Sequence, residues 1–311
     1  MAVTGADDEE RILMLNTPFM RFFMLGSLMS VCVFVAANAL DAEDPPRSRE
    51  GLKEPVFRVS KTRIEPNEEK PAHPLDPALK IAYDALARIR TQVDDYSCTL
   101  IKQERINGVL NPEEYMFAEI RNRKVKDSVI VTPLSVYLYF LKPGKIKGRE
   151  VIFIEGQNNG KMVAHEGGIL RIAPAVWLKP TGPIAMRGQL YPITDIGIET
   201  LVDKLIEKGE RDLHRGECAV EFIKGAKING RVCTVLQVKH PTPRPWFDFH
   251  IARIFIDDQL QIPIRYAAYT WPKEQGGKPR LLEAYTYLNL KLNVQLTNAD
   301  FNHKEKFRNG G

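Results

Sequence analysis

The sequence predicts an α+β protein built on one strongly curved antiparallel β-sheet, an incomplete barrel with helices on its concave face. Three observations predict it. Apolar residues recur with period two through about ten segments after residue 96. The two segments with helical spacing do not alternate with single strands, which disfavours a parallel βαβ sheet. Short turns such as Asn107-Gly108 and Asn229-Gly230 join consecutive segments, as in a meander. Strands of this length coil strongly within one sheet, and two helices could fill its hollow. A closed barrel and a two-sheet sandwich fit the same pattern.

Asp76-Pro77 supplies a helix cap and an early proline, and Leu79, Ala82, Leu86, Ile89 and Val93 then recur at helical spacing over about 77–92. Strands are expected at 96–106, 113–121, 127–141, 149–155 and 160–165. In the third, Val136, Leu138 and Phe140 alternate with Tyr137 and Tyr139, so both faces are apolar or aromatic. Residues 165–193 are punctuated by glycine and proline yet carry Trp177, Leu178, Ile184 and Met186. A long apolar loop needs burial, so it is expected to pack as a flap, and a lid, against the sheet. A second helix is expected over about 195–208, capped by Thr194 or Asp195 and ended by Gly209. Strands return at 218–225, 231–239, 248–257, 262–271 and 280–292.

Residues 22–40 carry no charge, follow Arg21 and end in Ala37-Asn38-Ala39, the small-x-small pattern of a signal-peptidase site. Asp7, Asp8, Glu9 and Glu10 make a poor n-region, whereas a start at Met20 leaves a compact signal peptide. Nineteen apolar residues also nearly span a bilayer. Residues 1–39 are therefore read as a signal peptide or a membrane anchor, 40–75 as a flexible proline- and charge-rich linker, 76–303 as the β-rich domain and 304–311 as a tail. Met29-Ser30-Val31 before Cys32 lacks the small residue that precedes a lipidated cysteine. Export places the chain in the periplasm or cell envelope, tethered to the inner membrane if residues 22–40 are retained.

The net charge of +5 permits weak attraction to an anionic surface and does not indicate nucleic-acid binding. The mean hydropathy of −0.26 excludes a polytopic membrane protein. Beyond the export segment lie Cys98, Cys218 and Cys233. A turn at Asn229-Gly230 sets Cys233 opposite Ala226 and argues against a Cys218–Cys233 bridge. Cys98 could pair with either, or all three could be buried small hydrophobes.

Several stretches resemble a family of exported bacterial proteins with a domain of unknown function, common in planctomycetes. They are Gln103-Glu104-Arg105-Ile106-Asn107-Gly108, Pro133–Tyr137, Gly148–Val151, Glu155–Lys161 and Pro183–Gly188. Leu134 stands where that family usually has Phe, and the resemblance covers about 78–300. More distantly, the layout resembles the periplasmic lipoprotein-carrier superfamily that includes LolA and LolB. The stretches concerned are 96–104, 229–233, 256–265 and 290–301. That resemblance implies a half-barrel rather than a sandwich, covered by helices, with an apolar cavity that takes acyl chains. Domains of this kind also act as sensors or inert modules.

No catalytic constellation is visible. The six histidines are dispersed and none lies in HExxH, no GxSxG occurs, and Gly156–Lys161 is one residue short of a phosphate loop, with Met162 where Ser or Thr should stand. No metal or cofactor is expected. Glu104, Arg105, Arg149 and Glu150 lie in strand segments. If Glu104 and Arg149 point inward they orient a lipid head group or form a fixed ion pair; otherwise they are outward cross-strand bridges. Arg187 is a further head-group candidate. Lys142, Lys145, Lys147 and Arg149 are a solvated turn or a contact for an anionic membrane surface. The aromatic set matters more. Core packing explains much of it, and a ligand cavity would use Tyr137, Tyr139, Phe153, Trp177, Met186, Phe255, Tyr266 and Tyr285. The expected protein is non-catalytic and binds or carries a lipid, a lipoprotein acyl chain or another hydrophobic molecule. The alternatives are an envelope protein-interaction or sensory module with a filled core, which would engage a protein partner, and, behind it, an envelope enzyme. A carrier requires a continuous apolar cavity, a module a filled interior, and an enzyme converging polar groups.

Overall fold

The first helix, α1 (Asp76–Gln92), buries Ala78, Leu79, Ala85, Leu86 and Ile89; of the expected stripe Leu79, Leu86 and Ile89 are among them, Ala82 is half-buried, and Val93 is buried just after the helix. It starts one residue early: the Asp76 carboxylate accepts the His73 N–H (2.7 Å) and closes the preceding turn instead of capping. The structure is a computed structural model, and it describes residues 73–274 and 276–309. The expected signal peptide or anchor, and the linker up to residue 72, lie outside the described residues. Among the described residues, no helix is long and apolar enough to cross a membrane.

The first half of the chain supplies β1 (Asp95–Ile106), β2 (Val109–Leu110), β3 (Glu114–Arg121), β4 (Lys124–Lys126), β5 (Val129–Thr132), β6 (Ser135–Lys142), β7 (Glu150–Ile154), β8 (Met162–His165) and β9 (Val176–Leu178). After α2 (Ile198–Leu213) come β10 (Ala219–Ile228), β11 (Arg231–Lys239), β12 (Ile251–Asp257), β13 (Pro263–Thr270) and β14 (Arg280–Leu292). The main sheet runs β10-β11-β12-β13-β14-β1-β3-β6-β7-β8-β9, with β2 paired to β1. The β1–β14 pairing joins the two halves of the chain into one curved antiparallel sheet. Its edges, β9 and β10, do not pair, so it is not a closed barrel. Asn107 and Asn229 take φ of 49° and 47° ahead of Gly108 and Gly230, the left-handed pair that a two-residue hairpin requires. The second of these turns pairs Ala226 with Cys233, as its register predicts. Cys98, Cys218 and Cys233 are all free.

Other elements differ from the sequence reading. The strand expected over 127–141 is two strands. Pro133 has no N–H to give to a ladder; β5 turns away at that point to pair with β4, and β6 alone enters the main sheet. The loop expected over 165–193 contains β9, paired to β8. The second helix runs one turn past Gly209. A Cβ on Gly209 would stand 2.8 Å from Cδ2 of Leu79, so this glycine lets α1 and α2 approach and does not end the helix. Nor does Thr194 or Asp195 cap α2: the hydroxyl of the wholly buried Tyr96 accepts the Ile198 N–H at 2.9 Å.

The two sheet faces have different covers. Val136, Leu138 and Phe140 of β6 join the core that contains Leu79, Leu86, Val202 and Ile206 of the helices. Tyr137 and Tyr139 point the other way, toward Phe301 and Phe307. These two belong to the segment after β14, anchored where the Asp95 carboxylate accepts the N–H groups of Gln295 and Leu296. Residues 304–309, expected as a tail, belong to α3 (His303–Asn309), which helps to cover that face.

Candidate functional site

A cavity of about 430 Å³ lies between the inner face of the first-half strands, α2 and the segment 176–197. Its walls follow from strand parity. Leu100 pairs with Met116, which pairs with Phe140. Leu138 pairs with Val151, then Ala164, then Val176. These two rows are apolar and all seven side chains line the space. Leu178, Ile184 and Ala185 of the covering segment and Leu201 and Leu205 of α2 complete it. The loop therefore does cover the sheet as the sequence suggested.

The end nearest β14 is polar. Glu104 and Glu283 stand opposite one another across β1 and β14, 3% and 6% exposed. The Tyr285 hydroxyl lies 2.6 Å from Glu104 and 3.2 Å from Glu283, and the Tyr266 hydroxyl lies 3.2 Å from Glu283. Burial, and then the neighbouring carboxylates, push the phenols of Tyr285 and Tyr266 far up, so both remain protonated donors. Lys102 pairs with Glu104 and Glu114, and Lys208 lies 3.9 Å from Glu283. The same cluster holds the covering segment. The Leu190 N–H donates to Glu104 Oε2 at 3.0 Å, Lys102 bonds Gln189, and Asn111 donates to the Gly188 carbonyl. Glu104 is thereby committed to its neighbours, which satisfies a buried charge that would otherwise be costly.

Of the residues proposed from sequence, Glu104, Arg149, Arg187, Tyr266 and Tyr285 line the cavity. Glu104 and Arg149 do not pair with each other; Arg149 bridges Glu166 at 3.0 Å. The others lie elsewhere. Tyr137 and Tyr139 are on the outer face, and Glu150, wholly buried, accepts the Tyr137 hydroxyl there at 2.8 Å. Phe153 and Phe255 are core residues. Trp177 sets its ring 5.1 Å from His303, while its neighbours Val176 and Leu178 face inward. Met186 sits in the covering segment between the lining residues Ala185 and Arg187. Arg105 donates to the carbonyls of Leu281 and Gly108, fastening a strand end. The residues missed were the aliphatic wall with Phe140, and Lys102 and Glu283 at the polar end. Parity from Glu104 would have found Lys102 and part of that wall, because Lys102 and Leu100 share its face and Leu100 leads to Met116 and Phe140. Among the described residues, no group of three or more His, Cys, Asp or Glu is placed to hold a metal.

A family model described as a protein of unknown function, DUF1571, matches residues 93–307. No curated protein matches the sequence. Solved structures of similar fold include a DUF1329 family protein from Desulfovibrio piger, at 11% identity over 75% of this chain and 99% of that one, TM-score 0.36. The LolA superfamily protein NE2245 from Nitrosomonas europaea matches at 8% identity over 74% and 99%, TM-score 0.30. The Pseudomonas aeruginosa MucA/MucB complex matches at 18% identity over 72% and 60%, TM-score 0.36.

Proposed function

The chain belongs to the DUF1571 family, and we propose that its domain binds an apolar or amphipathic molecule, a lipid or a lipoprotein acyl chain, in the cavity under the sheet. It holds or carries this molecule without transforming it, outside the cytoplasm. The observation that supports this reading is the pair of apolar rows facing a space of about 430 Å³, within the range of small-molecule sites. Each methylene taken from water contributes about 0.8 kcal/mol, so a chain of ten supplies affinity with no directed polar contact. An unfilled interior favours a carrier over a filled-core interaction module. The non-catalytic reading is supported by the polar end, whose carboxylates are bonded to tyrosines, lysines and the covering segment. The envelope location is supported by the composition of residues 22–40.

Native mass spectrometry of protein purified gently from its own envelope tests the proposal together with uptake of a fluorescent fatty acid by delipidated protein. A copurifying apolar species or saturable uptake is expected. Absence of both overturns the reading.

A further inference from the structure

Side chains that both line the cavity and face solvent mark its opening, and these are Val176, Ile184 and Arg187. Next to them in the same segment are Leu170, 61% exposed, and Ile172, 93% exposed. Single exposed hydrophobes are ordinary; four exposed branched side chains in one segment, two of them, Val176 and Ile184, at the mouth of an apolar cavity, are not. The turn 144–148 is pressed onto this rim. A Cβ on Gly167 would fall 2.3 Å from the carbonyl carbon of Gly148 and from the Lys147 carbonyl oxygen, so only glycine admits the contact. Segments 142–149 and 166–187 together hold seven lysines and arginines and one acid, Glu166, which is engaged by Arg149. Their combined positive charge exceeds that of the whole chain, +5. Lys145, Lys147, Lys179 and Arg187 are exposed.

We propose that this rim docks on a bilayer bearing anionic lipids, with the cavity mouth against the membrane. The proposal rests on the reading of the cavity as a site for an apolar ligand. Exposed branched side chains enter the acyl boundary while flanking cations meet lipid phosphates, the division of labour of an interfacial segment. The charge of the rim selects anionic over neutral lipid. A ligand then passes between bilayer and cavity without its chain crossing water.

The test compares sedimentation of the full chain with phosphatidylglycerol-containing vesicles and with phosphatidylcholine vesicles. The variants are Lys145→Glu/Lys147→Glu and Ile172→Asp, each in the full chain so that any contribution of residues 22–40 is common to all. None of these residues lines the cavity, and each variant is first checked for an unchanged unfolding midpoint. Expected are tighter binding to anionic vesicles that weakens with salt, a loss of about tenfold or more in the double charge reversal, a loss in Ile172→Asp, and full uptake of fluorescent fatty acid from solution by both variants. Undiminished vesicle binding by both variants, with uptake intact, overturns the docking surface and leaves the cavity reading standing. Loss of binding in Ile130→Asp on the exposed β4–β5 hairpin, with the rim variants unaffected, also overturns it by placing the contact elsewhere. An unmodified chain that neither takes up fatty acid nor carries a copurifying apolar species removes the cavity reading itself, and the docking proposal with it.

Discussion

Glu104 on β1 and Leu190 in the covering segment are joined by a 3.0 Å hydrogen bond from the Leu190 N–H to a carboxylate that is only 3% exposed. This bond ties the covering segment to the sheet. Its neighbours, Lys102 with Gln189 and Asn111 with Gly188, make three successive residues of the covering segment dependent on β1 and on the residue that follows β2. Glu104→Ala removes the acceptor of the Leu190 amide, at about 1–3 kcal/mol for a group left unpaired, while Tyr285 keeps Glu283 and Lys102 keeps Glu114 and Gln189. Glu104→Gln keeps an acceptor and loses less. Hydrogen exchange is expected to rise selectively at 186–191 in Glu104→Ala. A uniform rise across the sheet would mean that Glu104 supports the fold and not the covering segment.

Gly209 lets α1 and α2 approach by the width of a missing side chain. Glycine in a helix interior costs about 1 kcal/mol relative to alanine, and here the close approach of Leu79 explains its presence. Gly209→Val is expected to destabilise by about 1–3 kcal/mol through overpacking. Leu79→Ala in the same chain recovers part of that loss, so the two changes are non-additive in chemical denaturation. Strict additivity would show that the helices already part at this point.

The sheet was legible because its signals are local: period-two alternation, the Asn-Gly pairs at 107–108 and 229–230, and two segments of helical spacing. The pairing of β1 with β14 was not, since nothing in either strand names a partner nearly two hundred residues away. The site was half legible. Glu104 was found because a charged group inside a strand asks for a reason, and Tyr285 as one of the aromatic set. Leu138 and Phe140 were passed over for Tyr137 and Tyr139 because a strand apolar on both faces does not say which face is the hollow. That depends on the segment after β14, whose Phe301 and Phe307 cover the tyrosine side. Gly209 looked like a helix end because its actual reason, Leu79, lies on another helix.

Below about pH 6.5 the protein is expected to lose stability through His240. This ring is wholly buried, 3.8 Å from the Phe247 ring between centroids and 3.4 Å from Asp212 Oδ2. Burial holds its pKa below the ordinary 6.5, more than Asp212 raises it. As pH falls through 6.5 the unfolded chain takes up a proton that the folded chain refuses, so unfolding is favoured. His303, also lowered by burial, acts in the same direction. Asp212, raised above 3.8 chiefly by burial, acts in the opposite direction in more acid solution. Urea midpoints measured across this range are expected to fall less steeply for His240→Gln than for the unmodified chain. Equal slopes would remove His240 as the cause.

Ala164 provides the sharpest test of the cavity. It lies in the row Leu138, Val151, Ala164, Val176, lines the space and is 9% exposed. A larger side chain there projects into unfilled volume instead of displacing a packed neighbour, so Ala164→Phe should change stability by less than the usual overpacking cost of about 1–3 kcal/mol. It should also take up room that an acyl chain needs and weaken fatty-acid uptake at least tenfold, equivalent to losing about two buried methylenes. Tyr137→Phe, on the opposite face, is the matched control. It removes the hydroxyl that Glu150 accepts and is expected to cost about 1–3 kcal/mol of stability without altering uptake. The two variants thus separate stability from binding in opposite ways. If Ala164→Phe takes up the probe as well as the unmodified chain does, the ligand does not lie along this row.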